Sequence, residues 1–119
     1  MINLKRGMII DVNLDPRLGS ETGKIRPCII VTNNRYNQKV PVIQVVPITN
    51  WTEKKARIKT NIEILPSSLN QLTKKSIADC LQTRPIDYQR RFIGYRGKLE
   101  EELMVKIDLA LKNVFAIED

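Results

Sequence analysis

Short runs of apolar and β-branched residues, separated by turn residues, fill most of this 119-residue chain. The runs at residues 7–12 and 28–32 have the length and the Val and Ile content of strands. The same pattern predicts seven strands, near residues 7–14, 25–33, 40–48, 60–65, 75–81, 82–86 and 92–97, with a short helical turn near 87–91. The chain is therefore predicted to be mainly β before its C-terminal segment.

The C-terminal segment has a helical period instead. Its apolar residues are Leu99, Leu103, Ile107 and Leu111, spaced by four, with Met104, Val114 and Phe115 widening the stripe. Glutamates at 100–102 fall in the first turn, where the helix dipole favours anions. The sequence thus predicts an α+β class, in which a C-terminal helix covers an open end or a face of the β structure.

The segment between the first two predicted strands has the composition of a binding loop. We expect Gly19 and Gly23 to supply φ > 0 freedom, and Ser20 to offer a backbone-capturing or ligand-facing oxygen. Arg26 precedes Pro27, which stiffens its backbone at the edge of the core. The alternative is a long, positively charged hairpin loop that binds nothing.

Basic residues are unevenly distributed along the chain. The chain holds 20 Lys and Arg against 13 Asp and Glu, and residues 1–60 account for 11 of the basic and 4 of the acidic residues, a net of +7. Four basic residues form a dense run: Lys54, Lys55, Arg57 and Lys59. Such a field suits an anionic polymer such as RNA, although a basic half also serves solubility alone.

The length fits a single domain over residues 1–119. Cys28 and Cys80 lie inside apolar runs without CxxC spacing, so we interpret both as core residues rather than a disulfide or metal ligands. The first residues lack a signal-peptide pattern, and no apolar run reaches the roughly 18 residues that span a membrane. We therefore expect a cytoplasmic protein.

The chain contains no histidine. This excludes a Ser-His-Asp triad, a ribonuclease site with two histidines and a His-rich zinc site. A ribonuclease can still use the 2′-hydroxyl of RNA as its nucleophile, because that attack needs orientation rather than a protein nucleophile. Since carboxylates do not cluster in the sequence either, we expect no metal and no cofactor.

Six short motifs follow one another in a characteristic order. They are Arg6-Gly7 with Asp11 further on, Asp15-Pro16, Gly19-Ser20-Glu21, Arg26-Pro27, Pro47-Ile48-Thr49 and Gln82-Thr83-Arg84. In this order they resemble the MazF/PemK family of toxin endoribonucleases, over about residues 6–111. The resemblance implies a small CcdB/PemK-type, Src-homology-like β-barrel that pairs as a homodimer. It also implies sequence-selective, metal-independent cleavage of single-stranded RNA, restrained by an acidic, MazE-like antitoxin.

The resemblance places Arg26 and Thr49 at the family's catalytic positions. Deprotonating an arginine at neutral pH costs about 7 kcal/mol, so we assign Arg26 to electrostatic stabilisation and proton donation rather than to general base catalysis. Thr49 would hold the scissile phosphate through its hydroxyl. Glu21 matches the acid of the family's loop, and two roles stay open for it: a general base, or a group that only orients Arg26.

The late strand departs from the family pattern. Many members carry an acid directly before the glutamine, whereas this chain has Leu81. In an unbroken strand Asp79 would project from the same face as Leu81, so it is a candidate acid/base, with a capping role as the alternative. Gln82 and Arg84 would share the other face and contact RNA, and a structural hydrogen-bonding role is the alternative for Gln82.

The remaining predicted RNA contacts are Ser20, Lys24, Lys54, Lys55 and Trp51. Trp51 follows Thr49 in a loop-like sequence, so an unpaired base can stack on its indole while lysines hold phosphates. Packing in the core or at a dimer interface is the alternative for this side chain.

Two other functions fit the same resemblance. A CcdB-like toxin acts by binding a protein and cleaves nothing, and a non-catalytic barrel only binds RNA. The phosphate-binding set Arg26, Thr49 and Gln82-Thr83-Arg84 favours the nuclease, because a toxin that acts by protein contact does not need such a set.

Overall fold

The structure is a computed structural model that describes residues 3–118. In chain order its elements are β1 (Met8–Asn13), β2 (Ile25–Ile30), β3 (Val42–Asn50), α1 (Glu53–Ala56), β4 (Asn61–Ile64), β5 (Ser76–Asp79), β6 (Arg84–Asp87), α2 (Tyr88–Arg91), β7 (Phe92–Lys98) and α3 (Glu101–Phe115). The seven predicted strands, the helical turn before β7 and the C-terminal helix are confirmed. The helix α1 lies where the sequence indicated a loop.

The strands form one antiparallel sheet in the order β4-β5-β3-β2-β1-β7. The central strand β3 pairs with β6 through residues 42–45 and with β5 through residues 48–50. This division arises because a 3₁₀ turn at Cys80–Gln82 separates β5 from β6. The α+β class is confirmed. Over residues 3–118 the end strands β4 and β7 are not paired with each other, so the sheet does not close into a barrel.

Both faces of the central strands are buried, which explains the continuous apolar runs in the sequence. Ile9 and Ile29 face a core cluster beneath α3, while Ile10 and Cys28 face a second cluster on the opposite side of the sheet. Adjacent residues therefore point into different cores, as the alternation of a strand requires. Cys28 and Cys80 are both buried and free, as predicted.

Helix α3 covers one face of the sheet through Ile107 and Ala110, both buried. The predicted stripe packs on the core except at Phe115, whose side chain is 56% exposed because the helix ends there, at the left-handed residue Ala116. The stripe's first member, Leu99, is buried but precedes the helix, which begins at Glu101. Within residues 3–118, no helix has the length and apolar character needed to cross a bilayer.

The loop between β4 and β5 is held in place by the buried side chain of Asn70. Its Oδ1 accepts hydrogen bonds from the Ser67 and Leu72 main-chain N–H groups, and its Nδ2 donates to the Leu65 carbonyl at 2.9 Å. The same loop packs directly on β7, where a Cβ on Gly97 would lie 2.6 Å from the Leu69 carbonyl oxygen. These contacts fix the segment that faces β2 and β3 across the candidate site.

Candidate active site

A polar cleft of about 180 Å³ lies between β2, the end of β3 and the loop before β5. Arg26 and Thr49 line it together, so the structure brings the two predicted catalytic side chains to one place. The other lining residues are Ile25, Pro27, Ile48, Asn50, Leu72, Thr73, Lys74, Ser76 and Arg96. Three of the lining side chains are cationic and none is a carboxylate, so the cleft suits an anion.

Arg26 lies in β2 opposite Val12 of β1 and directly before Pro27. Its Nε is buried, and over residues 3–118 this atom has no hydrogen-bond partner. Leaving such a donor unpaired costs about 1–3 kcal/mol, more when the group is charged. Arg26 lines the cleft and its Nε is not committed to a protein acceptor, so the guanidinium is available to a ligand bound there.

Thr49 is nearly buried near the end of β3 and pairs with Ile77 of β5. The Lys55 ammonium lies 3.3 Å from the Thr49 hydroxyl oxygen and 3.2 Å from the Asn50 carbonyl oxygen. Lys55 reaches this position because Thr52 caps the N-terminus of α1: its hydroxyl accepts a hydrogen bond from the Lys55 main-chain N–H. A positive charge therefore lies beside the hydroxyl that is predicted to hold the phosphate.

Asp79 ends β5 and is half-buried. Burial raises the pKa of its carboxyl, against the opposing effects of the Gln82 and Leu81 main-chain N–H groups and the Lys55 ammonium. The expectation that Asp79 and Leu81 share one strand face was wrong, because the 3₁₀ turn begins at Cys80 and leaves Leu81 outside the strand and exposed.

Comparison with known proteins identifies the family. Residues 5–115 match the model of the PemK-like, MazF-like toxins of type II toxin-antitoxin systems. The chain belongs to this family. It is 33% identical over 116 residues to the endoribonuclease EndoA of Bacillus subtilis (strain 168), covering 98% of this chain and 97% of that relative.

Solved structures share the fold. MazF from Deinococcus radiodurans superposes with a TM-score of 0.81 at 18% identity, covering 96% of this chain and 97% of its own. An endoribonuclease from a mycobacterial species, solved in complex with its cognate antitoxin, superposes with a TM-score of 0.75 at 21% identity, with 96% of each chain covered. The chain therefore has the same overall fold as these structures.

The loop between β1 and β2 is built differently from the sequence expectation. Gly19 has φ +55°, as predicted, but the residue in the left-handed region near Gly23 is Lys24, with φ +67°. Position 23 instead has no room for a side chain, since a Cβ on Gly23 would lie 2.7 Å from the Asp15 Oδ1. The same Asp15 oxygen accepts a hydrogen bond from the Lys24 main-chain N–H at 2.8 Å.

Glu21 is exposed and bonded within its own loop. Its carboxylate accepts a hydrogen bond from the Leu18 main-chain N–H at 3.0 Å, and within residues 3–118 it forms no ion pair with Arg26. Both roles considered for Glu21, general base and orienting group, stay predictions.

Gln82 and Arg84 fasten the same loop to the sheet. Gln82 donates to the Ser20 carbonyl oxygen and accepts from the Thr22 main-chain N–H, both at 3.2 Å, which corresponds to the structural alternative for this side chain. The Arg84 guanidinium donates to the Leu14 carbonyl oxygen at 3.2 Å. Gln82 lies in the 3₁₀ turn and Arg84 in β6, so the expected common strand face does not exist. Their RNA contacts stay predictions.

Trp51 is half-buried beside the cleft. The Lys75 ammonium lies 4.0 Å from the centre of a Trp51 ring and also pairs with Glu63 at 3.0 Å. One face of the indole is thus covered by a cation. Base stacking on Trp51 stays a prediction, with the opposite face as the surface that would carry it.

The basic run from Lys54 to Lys59 is divided by the fold. Lys55 points to Thr49, whereas Lys54 is exposed and Arg57 pairs with Glu53 at 2.7 Å on the surface. Lys59 lines a separate, largely apolar cleft against α3. The four side chains therefore lie in different surroundings, and the RNA contacts of Lys54 and Lys55 stay predictions.

Sequence reasoning missed Lys74, Ser76 and Arg96, which complete the cleft. A signal existed for Arg96, because a charged residue within a predicted strand needs a partner or a ligand. Over residues 3–118, no three His, Cys, Asp or Glu side chains are grouped as metal ligands would be.

Proposed function

We propose that this chain is the toxin of a type II toxin-antitoxin system and a sequence-selective, metal-independent endoribonuclease that cleaves single-stranded RNA. The observation that carries the proposal is the buried Arg26 Nε without a protein acceptor, in a cationic cleft that also contains the Thr49 hydroxyl. The relative from Bacillus subtilis, which is named an endoribonuclease and matches nearly the whole chain, supports the same reaction.

The proposed reaction uses the nucleophile that RNA carries. The 2′-oxygen attacks the adjacent phosphorus, the 2′-hydroxyl proton passes to a base, and the bond from phosphorus to the 5′-oxygen breaks. The departing oxygen takes up a proton. The products are a 2′,3′-cyclic phosphate and a 5′-hydroxyl, and the enzyme supplies orientation and charge stabilisation.

The proposed roles fall to side chains that line the cleft or to side chains outside its lining. Arg26 stabilises the extra negative charge on the phosphate oxygens, since a guanidinium stays protonated at neutral pH. Thr49 and Lys55 hold the same phosphate, with the ammonium and the hydroxyl 3.3 Å apart. Of the two candidate bases, Asp79 is favoured over Glu21 because it ends β5, the strand that pairs with Thr49, and because burial raises its pKa.

We further propose that an acidic antitoxin restrains the enzyme in the cytoplasm. Its carboxylates would compete with RNA for the cationic cleft. An endoribonuclease from a mycobacterial species has been solved in complex with its cognate antitoxin, and MazF from Deinococcus radiodurans has been solved as MazE-MazF. A homodimer with a two-fold interface is part of the same proposal.

The test is the incubation of purified protein with a long single-stranded RNA in excess EDTA. We expect discrete cuts with cyclic phosphate ends, cleavage at least about a hundredfold slower with a parallel preparation of Arg26→Ala, and no cut where the scissile nucleotide is 2′-deoxy. If the folded wild type does not cut RNA, the proposal is wrong. A protein that still binds RNA would then be a non-catalytic RNA-binding protein. A protein that neither cuts nor binds RNA would instead be a CcdB-like toxin that acts by binding a protein.

A further inference from the structure

Arg96 of β7 lines the same cleft as Arg26 and is fixed by three hydrogen bonds. Its Nε donates to Asp11 Oδ1 at 2.8 Å and one terminal nitrogen donates to Asp11 Oδ2 at 3.3 Å. The other terminal nitrogen donates to the Gln71 carbonyl oxygen at 3.1 Å. The guanidinium is thus held between β1 and the loop that forms the far wall of the cleft.

These three bonds leave part of the guanidinium unused. An arginine has five N–H donors, so one N–H remains on each terminal nitrogen of Arg96. The side chain is 28% exposed and Asp11 is 24% exposed. A guanidinium that is fixed in orientation but keeps two donors loses little side-chain entropy when a phosphate binds.

The cleft and its edge hold more cationic groups than one phosphate requires. Arg26, with its unpaired Nε, lines the cleft, and Lys55 lies beside it against Thr49; both are assigned to the scissile phosphate. Arg96 is a third group with free donors, and it comes from a different strand. An RNA strand passing through the cleft presents further phosphates on both sides of the scissile one.

We infer that Arg96 is a second phosphate-binding arginine, which holds a phosphate flanking the scissile one, and that Asp11 is its positioning residue. The inference rests on the proposed function and extends it, because it assigns a binding position for the substrate beside the reacting phosphate.

A purely structural role for Arg96 is tested by a matched control in the same chain. Arg6 is likewise paired with one carboxylate, Asp108, and one main-chain carbonyl, that of Val31, and its side chain is 32% exposed. Arg6 does not line the cleft. Arg6→Gln and Arg96→Gln therefore remove comparable ion pairs, and only the second removes a proposed RNA contact.

The experiment first maps a cut made by the wild type and then uses a short RNA that spans it, with a 2′-deoxy nucleotide at the scissile position. Binding is measured by fluorescence anisotropy over a range of salt concentrations. We expect Arg96→Gln to weaken binding about tenfold and to reduce the salt slope by about 0.7, the value for one phosphate contact on a single strand. Arg6→Gln should lower the melting temperature similarly and leave the slope unchanged.

A phosphate scan then identifies the contact. Each phosphate near the scissile one is replaced in turn by an uncharged methylphosphonate. One flanking replacement should weaken binding to the wild type but cause no further loss in Arg96→Gln. If every replacement costs both proteins the same, or if the two glutamine variants have the same salt slope, Arg96 is only structural.

Two further measurements distinguish failure of this inference from a misfolded variant and from failure of the proposed function. If Arg96→Gln does not fold, the same scan with Arg96→Lys decides, because lysine keeps the charge but cannot make both bonds to Asp11 and also bind phosphate. In that variant the flanking replacement should cost less than in the wild type, and an equal cost rejects the inference. A wild type that neither cuts nor binds RNA instead rejects the proposed function.

Discussion

The Lys55 ammonium lies 3.3 Å from the hydroxyl oxygen of Thr49 and places a positive charge at the end of β3. Neither the strand pattern nor the basic run predicted this contact, since it depends on α1 turning Lys55 toward the sheet and leaving Lys54 exposed.

Lys55→Ala is expected to lower the rate of RNA cleavage at saturating substrate at least about tenfold, because a cation at the reacting phosphate acts most strongly on the transition state. Lys54→Ala, one position away and exposed, is the matched control and should only weaken binding slightly. Single-turnover kinetics of the two variants measure the difference. Equal rates would show that Lys55 contributes only to the overall positive charge of the protein.

Arg26→Ala and Thr49→Ala are each expected to reduce cleavage about a hundredfold or more, the scale of losing one donor to a transition state. Both variants should fold, since removing Arg26 also removes a buried unpaired N–H. Thr49→Ser keeps the hydroxyl and should retain most of the activity. Near wild-type turnover by a folded Arg26→Ala protein would remove this cleft from consideration.

Asp79→Asn is expected to stabilise the fold while it slows cleavage. The raised pKa means that the folded state disfavours the carboxylate, so stability present at acidic pH is lost as the pH rises through the folded pKa. The gain in melting temperature from Asp79→Asn should therefore be larger at neutral pH than at about pH 3.

The same substitution tests Asp79 as the general base. The wild-type profile of kcat/KM should fall on the acid side with an apparent pKa above the ordinary aspartate value, and Asp79→Asn should abolish that limb. An unchanged profile and rate would leave Asp79 with the capping role and return Glu21 as the candidate base.

Gly97→Ala is expected to destabilise the protein by about 1–3 kcal/mol, the usual cost of overpacking. The added Cβ would lie 2.6 Å from the Leu69 carbonyl oxygen and force the wall of the cleft away from β7. Gly94→Ala in the same strand meets no atom within 4 Å and should leave stability nearly unchanged. Urea unfolding of both variants measures the difference in stability. Equal midpoints would show that the loop between β4 and β5 moves away from β7 without destabilising the protein.

The two thiols are expected to resist alkylation in the folded protein at pH 8. Burial raises the pKa of both thiols, that of Cys80 to about 12. Iodoacetamide should label both only after denaturation, as mass spectrometry can show. Rapid labelling of the native protein would mean that one thiol is exposed by local opening.

The strands and the C-terminal helix were predictable because they follow from local periodicity. Alternating and continuous apolar runs indicated β1 to β7, and the four-residue spacing of Leu99, Leu103 and Ile107 indicated α3. The family motifs identified Arg26 and Thr49, which the fold brings to one cleft. The strand predicted near 75–81 ended too late, because no local pattern marked the 3₁₀ turn that separates Asp79 from Gln82.

The sequence by itself determined the strand segments, the amphipathic helix, the absence of histidine and the family motifs, since each is a property of residue type and spacing. Only the tertiary structure decided which charges share the site. Lys55 rather than Lys54 reaches Thr49, and Arg96 joins Arg26 in one cleft. The physical reason is that strand register and loop packing bring distant residues together, whereas the sequence pattern records only which face of its own element each residue occupies.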